Sequence, residues 1–219
     1  VRMEVGQPGA PAPKPVVAAA QAAIASGRLG YTEAMGIRPL REAIAGHYAG
    51  AYGLDVSPDR IAVTAGSSGA FSLAFLAAFD VGQRVAMPTP GYPAYRNLLG
   101  ALGIEAVEIE TGADTRWALT PDMIRRAHAQ KPLHGILIAS PANPTGTMYS
   151  PEALRALVEV ADELGLWFIS DEIYHGLVFA GEQRSALEFS PRAIVVNSFS
   201  KYYCMTGWRI GWMVLPEML

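Results

Sequence analysis

Residues 135–171 read GILIASPANPTGTMYSPEALRALVEVADELGLWFISD. Gly135–Ala139 is a short, wholly apolar run of the kind that forms a buried strand. A polar, proline-rich segment, SPANPTG, follows it. Ser150 then stands as a helix N-cap with Pro151 in the first turn. Leu154, Leu157, Val158 and Ala161 share one helical face. The chain returns to an apolar run, Leu166–Ser170, which stops at Asp171. Strand, crossover helix and strand in this order make a βαβ unit, so the fold is α/β with a mostly parallel sheet.

Outward from this unit the alternation continues. Upstream, Ile61–Ala65 reads as a strand, and Gly69–Phe79 as a helix apolar nearly all round, hence expected to be buried. Val85–Met87 is a short strand, Pro93–Leu102 a helix and Ala106–Ile109 a strand. Thr120 caps a helix over Pro121–Ala129. Downstream, Ala193–Asn197 and Ile210–Leu215 complete about seven strands. Nearer the N-terminus lie two more helices, Pro15 to Gly27 and Pro39 to about Tyr52; in the second, Leu40, Ala43, Ile44 and Tyr48 line one face. The expected organisation is an extended Pro/Gly-rich arm over residues 1–14 and one domain over 15–219. Its sheet is flanked by helices in three α/β/α layers.

Composition agrees with a large core. Of 219 residues, 51% are hydrophobic and 17% charged, against a typical charged share of about 25%. The net charge of −3 argues against a nucleic-acid surface or a polybasic membrane anchor. A lone cysteine, Cys204, leaves no internal disulfide framework or cysteine-rich metal site, and a packing role is expected of it. Ile61–Phe79 carries no charge, but TAGSSGAFS interrupts it with hydroxyls and glycines, so a strand plus helix explains it better than a membrane span. The start, VRMEVGQPGAPAPKP, has no apolar core of a secretory signal, and a cytoplasmic setting is expected.

In a parallel α/β sheet, ligands bind beyond the carboxyl ends of the strands. Those ends here are GSSGA, PTPGYPAY, SPANPTG, DEIYH and SFSK, and all should share one edge. Gly66-Ser67-Ser68-Gly69, between strand and helix, offers backbone N–H groups to an anion such as phosphate, or is an ordinary tight turn. Lys201 lies in a stretch without an acidic residue from Pro191 to Pro216. Desolvated among cations, it suits an imine-forming nucleophile; alone it also fits a snorkelling surface lysine. Arg209 could grip a phosphate bidentately or form a surface ion pair. Asp171 could hold a proton on a ring nitrogen, bind a metal or cap a helix. Asn143 fits a turn; Tyr92 and Tyr174 fit core aromatics or a platform. Glu172 is expected to be solvated or structurally paired, and His175 to have a structural or solvent role. The four histidines show no metal-ligand spacing, and Trp208 and Trp212 read as core and domain-interface aromatics.

Together the segments VGQP, GYTEAMGIRPLREAIAGHY, VTAGSSGA, PTPGYPAY, SPANPTG, SDEIYHGLVF and SFSKYYCMTGWRIGW resemble the class I/II aminotransferases, the fold-type-I pyridoxal-phosphate enzymes. The resemblance runs in order over essentially the whole chain. It implies that Lys201 forms a lysine aldimine with pyridoxal 5'-phosphate and then moves the proton. Asp171 would pair with the pyridinium nitrogen. Asn143 and Tyr174 would hydrogen-bond the ring's phenolic oxygen, and Tyr92 would stack on the ring. Ser67, Ser68, Gly69, Ser198, Ser200 and Arg209 would clamp the phosphate. It further implies that Tyr31 reaches the phosphate of the neighbouring subunit of a homodimer. Gly6, with Tyr92 and Asn143, would lie near the substrate, an L-amino acid or 2-oxo acid. The family's chain continues beyond the last strand into a small domain with a carboxylate-binding arginine, which this sequence does not reach. If the chain is a fragment that ends there, family-like dimerisation is expected to be impaired, with the homodimer belonging to the complete protein. A C–S β-lyase or a cyclopropane-forming synthase of the same fold remains an alternative, as does a cofactor-binding domain without turnover, of the kind found in transcription regulators. A Ser68–Asp171–His175 hydrolase is a weaker one, since GSSGA only half-matches a nucleophile elbow.

Overall fold

The computed structural model describes residues 6–27 and 29–219; the first five residues of the expected arm and Arg28 lie outside them. Seven strands form one sheet: β1 (Ile61–Thr64), β2 (Arg84–Thr89), β3 (Glu105–Glu110), β4 (Gly135–Ala139), β5 (Trp167–Asp171), β6 (Ile194–Ser198) and β7 (Gly211–Val214). Their order is β1-β7-β6-β5-β4-β2-β3. Strand β7 runs antiparallel to both neighbours, and every other pairing is parallel. The helices are α1 (Lys14–Ala25), α2 (Arg38–Tyr52), α3 (Gly66–Ala78), α4 (Pro93–Ala101), α5 (Pro121–Gln130) and α6 (Pro151–Glu163).

Successive side chains of a strand point to opposite faces of the sheet. Along β4, Ile136 and Ile138 enter a core shared with Ile44 and Tyr48 of α2, Ile124 of α5 and Leu154 and Leu157 of α6. Leu137 between them joins Phe71 and Phe75 of α3 and Leu99 of α4 on the other side. Strand β6 does the same, with Val195 on the α6 side and Ile194 and Val196 on the α3 side. The three expected layers follow from this alternation. The N-caps hold as read: Ser150 Oγ accepts from Ala153 N–H at 3.2 Å, and Thr120 Oγ1 from Met123 N–H at 3.4 Å.

Three expectations need correction. Helix α3 begins at Gly66, not Gly69, so the glycine-serine segment is its first turn rather than a loop before it. Gly66 takes φ 71°, a left-handed conformation open to glycine, and this turns the chain directly from β1 into the helix. Nor is α3 buried all round: Ala70, Phe71, Ala74 and Phe75 face the core, whereas Leu73 and Leu76 are exposed. Strand β2 is longer than expected, because six residues pair with β3 although only Val85 and Ala86 pair with β4. Among the described residues, no helix is long and apolar enough to cross a membrane.

Candidate active site

Strands β1, β2, β4, β5 and β6 run the same way, so the segments after them converge on one edge of the sheet. An anion-binding pole lies at the start of α3. Ala65 offers no side-chain cap there, which leaves the first-turn N–H groups of the Gly66–Gly69 segment without a side-chain acceptor at the positive end of the helix dipole. The Arg209 guanidinium lies against Gly66, where any Cβ would collide with it. Arg209 is held by a left-handed backbone (φ 55°) and by Nη1 donating to the Thr206 carbonyl at 3.0 Å. Close by, a Cβ on Gly211 would meet backbone atoms of Gly66, Ser67 and Asn197. Two glycines thus let β7 and a cation crowd onto the helix end. Ser198, the last residue of β6, and Ser200 in the turn after it are buried, their hydroxyls 2.8 Å apart, and Ser198 Oγ also lies 3.1 Å from the Ile210 carbonyl.

The second pole is the carboxylate of Asp171 at the end of β5, 4% exposed. Its Oδ2 accepts from the Tyr95 hydroxyl at 2.5 Å and its Oδ1 from Ile173 N–H at 3.0 Å. Burial pushes its pKa up to about 6, while Tyr95, the Ile173 amide and the Lys201 ammonium pull it back. Tyr92 packs edge-on against Tyr95, with ring centroids 5.4 Å apart. Partial burial raises the Tyr174 pKa, the Asp171 and Tyr92 charges add to the rise, and the Asn143 side chain pulls it back.

Lys201 sits between the poles. Its Nζ donates to the Gly6 carbonyl at 2.5 Å, which brings the N-terminal arm to the site. Partial burial and the nearby Arg209 charge lower its pKa, against an opposing pull from Asp171. An amine in such a setting is more often neutral, and so more nucleophilic, than a free lysine.

The structure therefore brings together Gly6, Tyr92, Asn143, Asp171, Tyr174 and Lys201, with Ser67, Ser68, Gly69 and Arg209 at the anion pole. Tyr31 is fully exposed, and among the described residues no contact joins it to the cluster. Glu172 is 1% exposed, so the solvated option is excluded; its Oε1 accepts from Ser185 Oγ and Ala186 N–H at 3.1 and 2.9 Å. His175 is likewise buried, with Nδ1 2.6 Å from the Tyr52 hydroxyl and 3.6 Å from Glu172 Oε2. These partners leave no relay from Asp171 through His175 to Ser68, which ends the hydrolase alternative. Trp212 is core, but Trp208 is 39% exposed.

Two residues escaped the sequence reading. Tyr95 sits in an apolar helix and reads as core until its distance to Asp171 is known. Trp117 lines the cavity beside Tyr92 and Asn143. Arg116 and Trp117 are consecutive non-glycine residues with positive φ (54° and 55°), a strained pairing that the TRW sequence does not announce.

The chain also matches proteins of known class. A family model described as aminotransferase class I and II matches residues 1–219. A valine–pyruvate aminotransferase of Mycobacterium tuberculosis is 53% identical over 221 residues, covering all of this chain and 56% of that protein. An aspartate aminotransferase of Thermotoga maritima is 34% identical, covering 99% of this chain and 58% of that protein. The crystal structure of an aminotransferase from Mycobacterium tuberculosis superposes with a TM-score of 0.95 at 53% identity, covering 98% of this chain and 59% of that one. The chain thus spans a little over half the length of these relatives. The chain belongs to the class I and II aminotransferase family.

Proposed function

We propose that this chain is the cofactor-binding part of a pyridoxal-phosphate-dependent aminotransferase, which moves an amino group between an L-amino acid and a 2-oxo acid. The observation that carries the reading is the placement of Lys201. A lysine of lowered pKa stands between a cation-backed helix N-terminus and a buried carboxylate. The two poles fit the two ends of pyridoxal phosphate. At the α3 terminus the Arg209 guanidinium lies against a first turn that no side chain caps, the charge and the donors that a phosphate needs.

When bound, pyridoxal phosphate supplies an electron sink for the charge left after an amino acid loses its α-proton. Everything else falls to the protein. Ser67, Ser68 and Gly69, with Ser198, Ser200 and Arg209, hold the phosphate. Asp171 accepts the proton-bearing ring nitrogen as a hydrogen-bond donor and keeps it charged. Asn143 and Tyr174 would donate to the ring's phenolic oxygen, and Tyr92 would cover one face. Lys201 Nζ would be the group that binds the cofactor's aldehyde, and its amine would then serve as the base that carries the proton. Gly6 places backbone polar groups near the substrate. The cavity beside Tyr92 is lined by Pro88, Pro90, Trp117 and Leu137 and by no charged side chain. The similarity to valine–pyruvate aminotransferase favours an aliphatic amino acid and pyruvate as the pair. The exposure of Tyr31 supports a homodimer in which this tyrosine completes the partner's phosphate site.

Borohydride reduction in the presence of pyridoxal phosphate, followed by peptide mapping, tests the reading. A pyridoxyl group is expected on Lys201 alone. Lys201→Ala should lose the adduct and the yellow absorbance, and turnover by at least roughly 10³-fold, with an unchanged far-UV circular dichroism spectrum. An adduct on any other peptide overturns the assignment.

A further inference from the structure

We propose that Tyr95 is a positioning residue: its hydroxyl, donating to Oδ2, holds the Asp171 carboxylate anionic and aimed at the cofactor's ring nitrogen. The inference rests on the cofactor reading above. Tyr95 belongs to α4 and is 4% exposed. Its ring is wedged between Phe71, at 5.0 Å between centroids, and Tyr92, at 5.4 Å. From there its hydroxyl meets Oδ2 at 2.5 Å, while Ile173 N–H occupies Oδ1 at 3.0 Å.

Each carboxylate oxygen thus has one donor from a different element, α4 on one side and the backbone after β5 on the other. Two donors from opposite sides leave the carboxylate no free rotation, and each oxygen keeps a lone pair for the ring N–H. A carboxyl buried this deeply would otherwise take up a proton. A neutral acid could no longer stabilise a charged ring nitrogen. Hydrogen bonds to a charged acceptor are the strong ones, so the phenol favours the ionised form. Burial and the adjacent Asp171 charge hold the Tyr95 pKa well above its ordinary value, so its O–H stays a donor throughout the working pH range.

The test uses the full chain as wild type and Tyr95→Phe. Phenylalanine keeps the ring contacts with Phe71 and Tyr92 and removes only the hydroxyl. Two probes are titrated by tryptophan fluorescence quenching: pyridoxal phosphate, and its carbocyclic analogue in which CH replaces the ring nitrogen. Loss of a buried hydrogen bond to a charged group should weaken pyridoxal phosphate binding by about tenfold or more. Analogue binding should change by less than about twofold, because the analogue offers Asp171 no N–H. Unaltered analogue binding is also the evidence that the variant folds. Equal weakening of both probes, or no change in either, overturns the role of Tyr95. Failure of the wild-type chain to bind pyridoxal phosphate, or to prefer it over the analogue, instead overturns the cofactor reading and the role together.

Discussion

Glu172 and Asp171 are neighbours in sequence with different surroundings. Asp171 is held by Tyr95 and the Ile173 amide, Glu172 by Ser185 and Ala186, with its Oε2 left without a hydrogen-bond partner. Burial raises the Glu172 pKa from 4.5 to about 8, against the pull of the Ala186 amide and the Ser185 hydroxyl. Between those pH values the folded chain keeps a proton that the unfolded chain has released. Its contribution to stability is therefore complete below about pH 4.5, declines as pH rises and is gone above about 8. Glu172→Gln mimics the protonated side chain and does not titrate. From pH 5 to 8 its melting temperature should fall less than the wild type's, by several degrees at ~2–4 °C per kcal/mol for a chain this size. Parallel curves would show that Glu172 is ionised in the folded state. His175, with its pKa lowered to about 4 by burial, acts in the opposite sense: its contribution is complete above about 6.5 and is lost toward pH 4. Its Nδ1 lies 3.6 Å from Glu172 Oε2, so the same comparison in a His175→Gln background isolates Glu172. At this scale Lys201 and Asp171 were legible as candidates, because a lysine in an acid-free stretch and an aspartate ending an apolar run are local facts. Tyr95 and the burial of Glu172 were not, since each depends on a partner far along the chain.

Elements were legible where their ends carry their own chemistry. Ser150 and Thr120, each followed by proline, mark their helix starts by side-chain hydrogen bonds that need nothing from the rest of the fold. The start of α3 has no such signal: Ala65 caps nothing, and the turn rests on Gly66. What sets that start is β7 pressing on the first turn. A Cβ on Gly211 would stand 2.7 Å from the Gly66 carbonyl carbon and 2.9 Å from both Ser67 N and the Asn197 carbonyl oxygen. All three are backbone atoms, so nothing can swing aside. Gly211→Ala should then cost about 1–3 kcal/mol in urea denaturation, as overpacking does, and weaken pyridoxal phosphate binding at the same helix end. Gly207→Ala, where an added Cβ meets nothing within 4 Å, should stay within about 0.5 kcal/mol. Similar losses in the two variants would mean that the close approach is not what the glycine serves.

On the scale of the whole molecule, periodicity identifies strands but not their neighbours. Each apolar run was readable, yet the pairing of Ile61 with Val214, and the reversed β7 between β1 and β6, are contacts between distant segments that no local pattern encodes. The same non-local arrangement distributes stability unevenly. Strand β4 is buried along its full length and feeds the cores on both sheet faces, and β6 does likewise. Helix α1 buries none of its twelve residues, and no side chain caps it. An isolated helix of that length is marginal in water even when alanine-rich. Hydrogen exchange on the 219-residue chain should therefore divide it. Amides of β4 and β6 should open only with global unfolding, while those of α1 exchange at least roughly 10³-fold faster. If α1 were as protected as β4, its stability would have to come from contacts that its exposed surface does not make, and the partition of the fold into a two-faced sheet core and a peripheral first helix would fail.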